Sequence, residues 1–236
     1  MTAGLRLYKI NLVLMTMLAL YLLSGCAYAI DNEKQEEKEK PAHHSEDGFQ
    51  NPYVEKKKRG FFKYLKMRYF SKEEFADYES NAHKIARVET DLELIQKPPD
   101  ALQVTWIGHA TMLIQYKGVN ILTDPMFSDR ASPLSFLGPE RFNPPSVKLK
   151  DLPHIDYIVI SHSHYDHLDK KTVQQIGSNA KWLVPLGMQQ WFIRTGVNKE
   201  SVVEFDWWDV KKFNDAAITA TPAQHWSARR LWDRNK

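Results

Sequence analysis

The sequence predicts a mixed fold of the α/β or α+β class. Through the middle of the chain, short apolar stretches typical of strands alternate with helical stretches, and turn or stop residues separate them. The chain has 236 residues, of which 43% are hydrophobic, which suits one domain with a buried core plus terminal segments. Lys plus Arg number 32 and Asp plus Glu 29, a formal charge of +3, so we expect no nucleic-acid partner.

The first residues have the pattern of a secretion signal. Arg6 and Lys9 lead into the apolar run from Ile10 to Leu23, of roughly fourteen residues, which is short for a membrane span and suits a signal-peptide core. The tetrad LSGC at 23–26 follows and resembles the lipobox of bacterial lipoproteins. We therefore expect residues 1–26 to be a lipoprotein signal peptide with Cys26 as the lipidated residue.

A lipid on Cys26 would anchor the protein to a membrane surface, on the periplasmic or cell-surface side of a bacterial envelope. Two alternatives remain open: secretion with cleavage after Ala29, and an uncleaved anchor. All three place the rest of the chain outside the cytoplasm or on a membrane. Cys26 is also the single cysteine, so an internal disulfide is excluded.

Two segments separate this signal from the domain. Residues 27–60 are rich in Glu, Lys and Gln, which predicts a flexible charged tether. Residues 61–97 are predicted to be a helical lead-in. Its basic, aromatic first part, 61–70, suits a helix packed on the domain or, as the alternative, one lying on an anionic membrane surface. The domain is predicted to occupy 98–236.

Three strands are expected to open the domain, at Gln103–Trp106, Thr111–Tyr116 and Val119–Thr123. The dipeptide Lys117-Gly118 makes the last two a hairpin. The stretch Phe127–Pro153 contains many Pro, Ser and Gly residues and predicts a long loop of functional importance.

The second half of the domain continues the alternation of strands and helices. Glycines mark the predicted ends of two helices, since glycine favours helix C-termini. The predicted strands are Ile155–Ile160, Lys181–Pro185, Val202–Phe205 and Ala217–Thr221, and the predicted helices are Leu168–Ile176 and Gly187–Thr195.

Four potential metal ligands lie within six consecutive positions after the strand Ile155–Ile160. They are His162, His164, Asp166 and His167, and zinc takes imidazole and carboxylate readily. The carboxyl edge of an α/β sheet is where such folds place their sites. The spacing suits two neighbouring cations, the first held by the two leading histidines and the second by the Asp-His pair. A set of helix-capping residues would not need three histidines.

This run resembles the H-x-H-x-D-H signature of the metallo-β-lactamase fold superfamily. The resemblance implies an αββα sandwich with its metals at one edge of the two sheets. It does not choose a substrate, because the superfamily includes lactamases, thioesterases, lactonases, nucleases and lipid phosphodiesterases.

Further motifs are similar to one branch, the N-acyl-phosphatidylethanolamine-hydrolysing phospholipase D family. The similarity runs from about His43 to the last residue. The motifs are GFQNP at 48–52, TWIGHA at 105–110, LTDP at 122–125, GPERF at 138–142, VPLG at 184–187, DWW at 206–208 and TPAQHW at 221–226.

The family resemblance implies further site residues. His225 would join His162 and His164 in a three-histidine zinc site with an open position. Asp166 would be catalytic, holding its metal and the attacking water. His109 and Asp124 would orient the ligands, or alternatively form a buried His–Asp hydrogen bond that only supports the strands. Two zinc ions are implied, and iron or manganese would tolerate the same ligands.

The implied activity is that of a zinc-dependent phosphodiesterase of phospholipase D type, with a phospholipid substrate and a membrane surface as partners. Alternatives are another hydrolase of the fold, such as a lactonase or nuclease, and a non-catalytic metal-binding lipoprotein. In the family, a bridging carboxylate and a further histidine follow the segment that matches His225. The sequence ends at Lys236, so we expect an incomplete sandwich at the C-terminus, weak binding of the second metal and little activity.

Overall fold

The computed structural model describes residues 40–54, 88–213, 216–229 and 233–235, with the single residues 63, 66, 70 and 86. The predicted signal peptide, with Cys26, lies outside the described residues. The chain divides into two compact units, Met1–His44 and Ser45–Lys236. Within the described parts, no helix has the length and apolar character that crossing a membrane requires.

Strands and helices alternate in the middle of the described chain, and consecutive strands precede and follow that part. The strands are β1 (His44–Ser45), β2 (Gly48–Phe49), β3 (Gln103–Gly108), β4 (Thr111–Tyr116), β5 (Val119–Thr123), β6 (Tyr157–Val159), β7 (Lys181–Pro185), β8 (Val202–Phe205), β9 (Val210–Phe213) and β10 (Ala216–Thr219). The helices are α1 (Leu92–Gln96), α2 (Lys170–Ile176) and α3 (Gln189–Thr195), with 3-10 turns at Leu149–Asp151 and Lys199–Ser201.

Six strands form one mixed sheet in the order β3-β4-β5-β6-β7-β8. The β3–β4 and β4–β5 pairs are antiparallel, whereas β5 to β8 run parallel to one another. The carboxyl ends of β5, β6 and β7 therefore meet at one edge of the sheet. The strands β9 and β10 form a separate antiparallel pair. This arrangement confirms the mixed class predicted from the sequence.

The core lies on one face of this sheet. Leu113, Leu122, Ile158 and Trp182 occupy adjacent registers across four strands, and each is fully buried. The ring of Trp182 packs against Phe192 of α3 with centroids 5.0 Å apart. Because side chains alternate across a strand, this row turns one continuous apolar surface towards the helices.

The opposite face is uncovered on β3 and β4. Val104, Trp106 and Met112 alternate with the buried positions and are 53%, 59% and 39% exposed. Buried and exposed side chains therefore alternate along β3 and β4, as in strands that turn one face to the core and the other away from it.

The elements agree closely with the sequence prediction where local signals are strong. The strands β4, β5, β7 and β8 have the predicted bounds, and Gly177 and Gly196 cap α2 and α3 as expected. The strand β9 was not predicted, because Lys211 and Lys212 interrupt its apolar pattern. Its pairing with β10 supplies the backbone hydrogen bonds that define it.

Two segments upstream of residue 98 make contacts with the domain predicted to begin there. Ile95 of α1 is 2% exposed and belongs to the core, so the packing of the domain begins before Pro98. Within the predicted tether, Phe49 donates its backbone N–H to the carbonyl of Asn235 at 2.7 Å. This part of the tether therefore packs on the domain. Lys63, Lys66 and Phe70, within the predicted lead-in, are helical.

The buried carboxylate of Asp169 fastens the long loop after β5 to the start of α2. It accepts hydrogen bonds from the backbone N–H groups of Phe127 and Ser128 at 3.3 and 2.9 Å and from the Ser128 hydroxyl at 2.9 Å. It also caps the helix, accepting from the Lys171 N–H and the Thr172 hydroxyl. Five donors on one buried carboxylate leave it no freedom to move.

We expect Asp169→Ala to destabilise the chain by about 3 kcal/mol, because buried donors lose a charged acceptor and α2 loses its cap. Urea unfolding at pH 7 measures this. The matched control is Asp91→Ala, which removes an exposed cap that accepts one bond, from the Leu94 N–H at 3.0 Å, and should cost about 1 kcal/mol. Equal losses for the two variants would contradict this account.

Candidate metal centre

The histidine-rich segment forms a tight loop between β6 and α2, at the edge where the parallel strands end. Within the loop, the His164 carbonyl accepts hydrogen bonds from the N–H groups of His167 and Leu168 at 3.1 and 2.8 Å. This turn brings side chains that are consecutive in sequence to one side of the sheet edge, the position that open α/β sheets use for ligands.

Three histidines converge on one point. The Nε2 atom of His162 lies 2.9 Å from Nδ1 of His164, and Nε2 of His225 lies 3.3 Å from the same atom. Ligand atoms of all three lie within 4.8 Å of one another. Nitrogen ligands at tetrahedral zinc are about 3.3 Å apart, given bonds of about 2.0 Å. The spacing therefore fits a divalent cation.

The set does not satisfy itself as a hydrogen-bond network. Nε2 of His164 is buried and has no hydrogen-bond partner among the described residues. Burying a polar atom without a partner costs about 1–3 kcal/mol. A cation shared by the three rings would lie at Nδ1 of His164, where Nε2 of His162 and Nε2 of His225 converge, and would leave Nε2 of His164 without a partner.

The electrostatics of these histidines favour the neutral form that binds metal. Burial, followed by repulsion from the neighbouring His167 and His164, lowers the pKa of His162 to about 4. Burial and the nearby His225 also lower the pKa of His164. Metal ions require unprotonated imidazole, so protons compete weakly for this set at neutral pH.

A second set of ligand atoms surrounds Asp166. Its Oδ2 lies 2.8 Å from Nε2 of His109 and 3.4 Å from Nε2 of His167. These three side chains form a separate potential metal group. The hydrogen bond with His167 is the main cause that lowers the pKa of Asp166, so this carboxyl is ionised at neutral pH. The structure thus adds His109 to the predicted Asp-His pair.

His167 is held differently from the other histidines. Burial lowers its pKa, but hydrogen bonds with Asp124 and Asp166 outweigh burial and raise it to about 9. Its Nδ1 lies 2.9 Å from Oδ2 of Asp124, which leaves Nε2 directed towards Asp166. A carboxylate behind a ligating histidine commonly sets its orientation.

Asp124, at the end of β5, also organises the start of the loop. It is 6% exposed, and its carboxylate accepts from both the backbone N–H and the hydroxyl of Ser161 at 2.7 Å. The same hydroxyl lies 2.8 Å from Nδ1 of His162. Asp124 therefore contacts His167 of the second set directly and His162 of the first set through the Ser161 hydroxyl. The alternative expected from the sequence, a hydrogen bond between Asp124 and His109, is not the arrangement found, since His109 contacts Asp166.

His109 has an unusual backbone. Its φ of 52° lies in the left-handed region, and Gly108 before it has φ of 145°. The indole Nε1 of Trp106 donates to the His109 carbonyl at 2.9 Å. A non-glycine residue in this region is strained and needs support from its surroundings. The turn between β3 and β4 thus holds His109 in a strained backbone conformation that places its imidazole at the metal centre.

The structure brings together seven of the eight predicted site residues: His109, Asp124, His162, His164, Asp166, His167 and His225. The eighth, Cys26, lies outside the described residues. Three contacting residues were not singled out from the sequence: Ser161, Tyr165 and Arg229. Ser161 adjoins the histidine-rich run, Tyr165 lies within that run, and Arg229 follows TPAQHW by three positions. Serine, tyrosine and arginine are common in loops, so only tertiary contacts distinguish these three.

The metal-free chain should be most stable near pH 6.5. As pH falls from 6.5 to about 4, the unfolded chain gains a proton on His162 that the folded chain does not, so stability decreases. As pH rises from 6.5 to about 9, the folded chain keeps a proton on His167 that the unfolded chain loses, so stability again decreases.

Urea midpoints between pH 4 and 9 in EDTA measure this profile. His162→Asn should flatten its acid side and His167→Asn its alkaline side. His154→Gln, which alters a histidine side chain that is 73% exposed, is the control and should leave both sides unchanged. A flat profile for the unsubstituted chain would contradict the account.

Comparison with known proteins places these features in a family. Residues 119–236 match the family model of the beta-lactamase superfamily domain. The chain is 44% identical over 144 residues to N-acyl-phosphatidylethanolamine-hydrolyzing phospholipase D 1 of Caenorhabditis elegans, covering 57% of this chain and 40% of that protein. The mitochondrial enzyme of the same description from Saccharomyces cerevisiae is 39% identical over 138 residues, covering 56% and 29%.

A third relative is less similar. A UPF0173 metal-dependent hydrolase of Ligilactobacillus salivarius is 34% identical over 115 residues, which are 47% of each chain. The chain thus spans less than half the length of these curated relatives. The family match covers half of the chain and contains Asp124, the histidine-rich loop and His225. With its mixed sheet and the loop at the edge of that sheet, the chain belongs to the beta-lactamase superfamily.

Proposed function

We propose that this chain is part of a zinc-dependent phosphodiesterase of phospholipase D type that acts on N-acyl-phosphatidylethanolamine or a similar lipid. The observation that carries the proposal is the pair of adjacent ligand sets, each of which takes side chains from the histidine-rich loop. His162, His164 and His225 form one set, and Asp166 with His167 belongs to the other. Two adjacent cation sites suit phosphoester hydrolysis, because each can stabilise charge on a different oxygen of the reacting phosphate.

The chain's own side chains prepare both sites. Ser161 engages Nδ1 of His162, so that Nε2 faces the three-histidine set. Asp124 engages Nδ1 of His167 in the same way. Asp166, ionised at neutral pH, would offer an oxygen to a cation and hold the attacking water by accepting a hydrogen bond from it. Bound divalent cations would supply Lewis acidity and make that water a better nucleophile at neutral pH.

The lipid part of the proposal has separate support. Two relatives bear names that state N-acyl-phosphatidylethanolamine as their substrate. Trp226 is 44% exposed, and its ring lies 4.4 Å from that of His164, which places apolar surface beside the centre. Lipidation of Cys26, as expected from the sequence, would let the enzyme meet its substrate in the plane of a membrane.

A different hydrolase of the same fold is the second candidate. It is favoured by the similarity to a metal-dependent hydrolase whose name states no substrate. A lactonase or nuclease would use the same ligand sets. A metal-binding lipoprotein without activity is the third candidate.

We expect the intact chain, loaded with zinc, to release N-acylethanolamine slowly from N-acyl-phosphatidylethanolamine radiolabelled in its N-acyl group, in line with the little activity expected from the sequence, and EDTA to stop the release. His162→Ala should reduce the rate at least about 100-fold, since a ligand is lost. His154→Ala, which removes an imidazole that is 73% exposed and belongs to neither ligand set, is the control. Radiolabelled lactone and RNA substrates test the second candidate, and product from either in place of the lipid would contradict the proposal. Zinc binding without any turnover would favour the third.

Asp124→Asn should weaken the second cation site more than the first. An amide keeps the shape but loses the charge that orients His167, and loss of such a partner typically lowers metal affinity about 10- to 100-fold. Competitive zinc titration with a chromophoric chelator measures both affinities. Asp151→Asn, at a 3-10 turn away from the centre, is the control. Equal affinities in Asp124→Asn and the unsubstituted chain would show that Asp124 only supports the strands.

A further inference from the structure

Arg229 lies four positions after His225 and reaches back to the histidine-rich loop. Its Nη1 donates to the carbonyls of Ser163 and Leu168 at 2.9 and 2.8 Å. Ser163 stands between the first two loop histidines, and Leu168 directly follows His167. One guanidinium nitrogen therefore joins the two ends of the segment that carries the ligands.

The hydrogen bonds of the turn within the loop do not involve the two carbonyls that Arg229 binds, those of Ser163 and Leu168. The turn uses the His164 carbonyl, which accepts from the N–H groups of His167 and Leu168. Buried backbone carbonyls need a donor, and a charged donor forms the stronger bond. Arg229 thus completes the hydrogen bonding of the loop from a distant part of the chain.

The arginine is itself held on several sides. Its guanidinium carbon lies 4.2 Å from the ring centroid of Tyr165 and 4.8 Å from that of Trp191. The Tyr165 hydroxyl donates to the Arg229 carbonyl at 2.8 Å, and Asp233 accepts from its backbone N–H at 2.9 Å. Guanidinium stacks on aromatic faces and bonds in its own plane at the same time, which lysine cannot do. The position is therefore specific for arginine.

We propose that Arg229 is a positioning residue of the three-histidine site, tying the segment of His225 to the loop of His162 and His164. The site needs ligands from two segments, and His225 is separated from His164 by 61 residues. Among the described residues, Arg229 donates hydrogen bonds to Ser163 and Leu168 and accepts one from Tyr165, so it joins the two segments next to the ligands. This inference rests on the proposed metal site and extends it to a residue that does not itself touch the metal.

Cobalt(II) provides the test, because its visible absorption reports the ligand geometry and its titration gives an affinity. In the intact chain, Arg229→Ala should weaken binding of the first cobalt equivalent about 10- to 100-fold and alter its spectrum. Guanidinium chloride at low millimolar concentration should restore much of the affinity by filling the space between the two rings. Lysine cannot stack on the rings and bridge both carbonyls at once. The cobalt affinity of Arg229→Lys should therefore lie between those of Arg229→Ala and the unsubstituted chain.

The control is Arg194→Ala, which removes an exposed arginine from the same α3 helix that carries Trp191 and should leave affinity and spectrum unchanged. Should Arg229→Ala fail to fold, Tyr165→Phe replaces it as the test variant. It removes one hydrogen bond to the Arg229 segment and should weaken cobalt binding about two- to tenfold.

The outcomes separate this inference from the proposed function. Unchanged cobalt affinity and spectrum in Arg229→Ala, or in Tyr165→Phe where that variant is used, would overturn the positioning role while leaving the metal site intact. A raised KM for lipid with unchanged metal affinity would also overturn it, since Arg229 would then contact substrate. An unsubstituted chain that binds no cobalt would overturn the metal site and this inference together.

Discussion

The buried carboxylate of Asp124 is the contact on which the arrangement of the centre depends. It ends β5 with a left-handed φ of 34° and accepts three hydrogen bonds, two from Ser161 and one from His167. Because β5 and β6 are parallel neighbours, the carboxylate at the end of one strand meets the loop that follows the other. The sheet therefore fixes the position of the histidine-rich loop through Asp124, and the position of the loop fixes that of its histidines.

The centre combines groups whose protonation preferences oppose one another. Burial keeps His162 and His164 neutral, whereas the carboxylates of Asp124 and Asp166 hold a proton on His167. This arrangement costs stability, since several rings are crowded together and the buried Nε2 of His164 has no hydrogen-bond partner among the described residues. Such local conflict is expected at functional sites, where the surrounding fold keeps groups in an arrangement suited to a ligand.

Closure of the site depends on contacts between distant segments. A stretch of 61 residues separates His164 from His225, and ordering so long a connection costs conformational entropy. The strands β7 and β8 and the helix α3 lie within that stretch and pack on the core, so the fold meets most of this cost before the site forms. The segment of His225 must then be held against the loop, and Arg229 contributes to this by donating hydrogen bonds to the carbonyls of Ser163 and Leu168.

The sequence by itself determined the class of fold, the bounds of β4, β5, β7 and β8, and the identity of the ligand-bearing loop. These features depend on local alternation, glycine stops and the close spacing of like ligands, all of which a linear reading contains. Only the tertiary structure decided that His109 joins Asp166, that Asp124 pairs with His167, and that Arg229 spans the loop. Those contacts join residues 43 to 66 positions apart, and spacing along a chain carries no information about which distant side chains the packing of a sheet brings together.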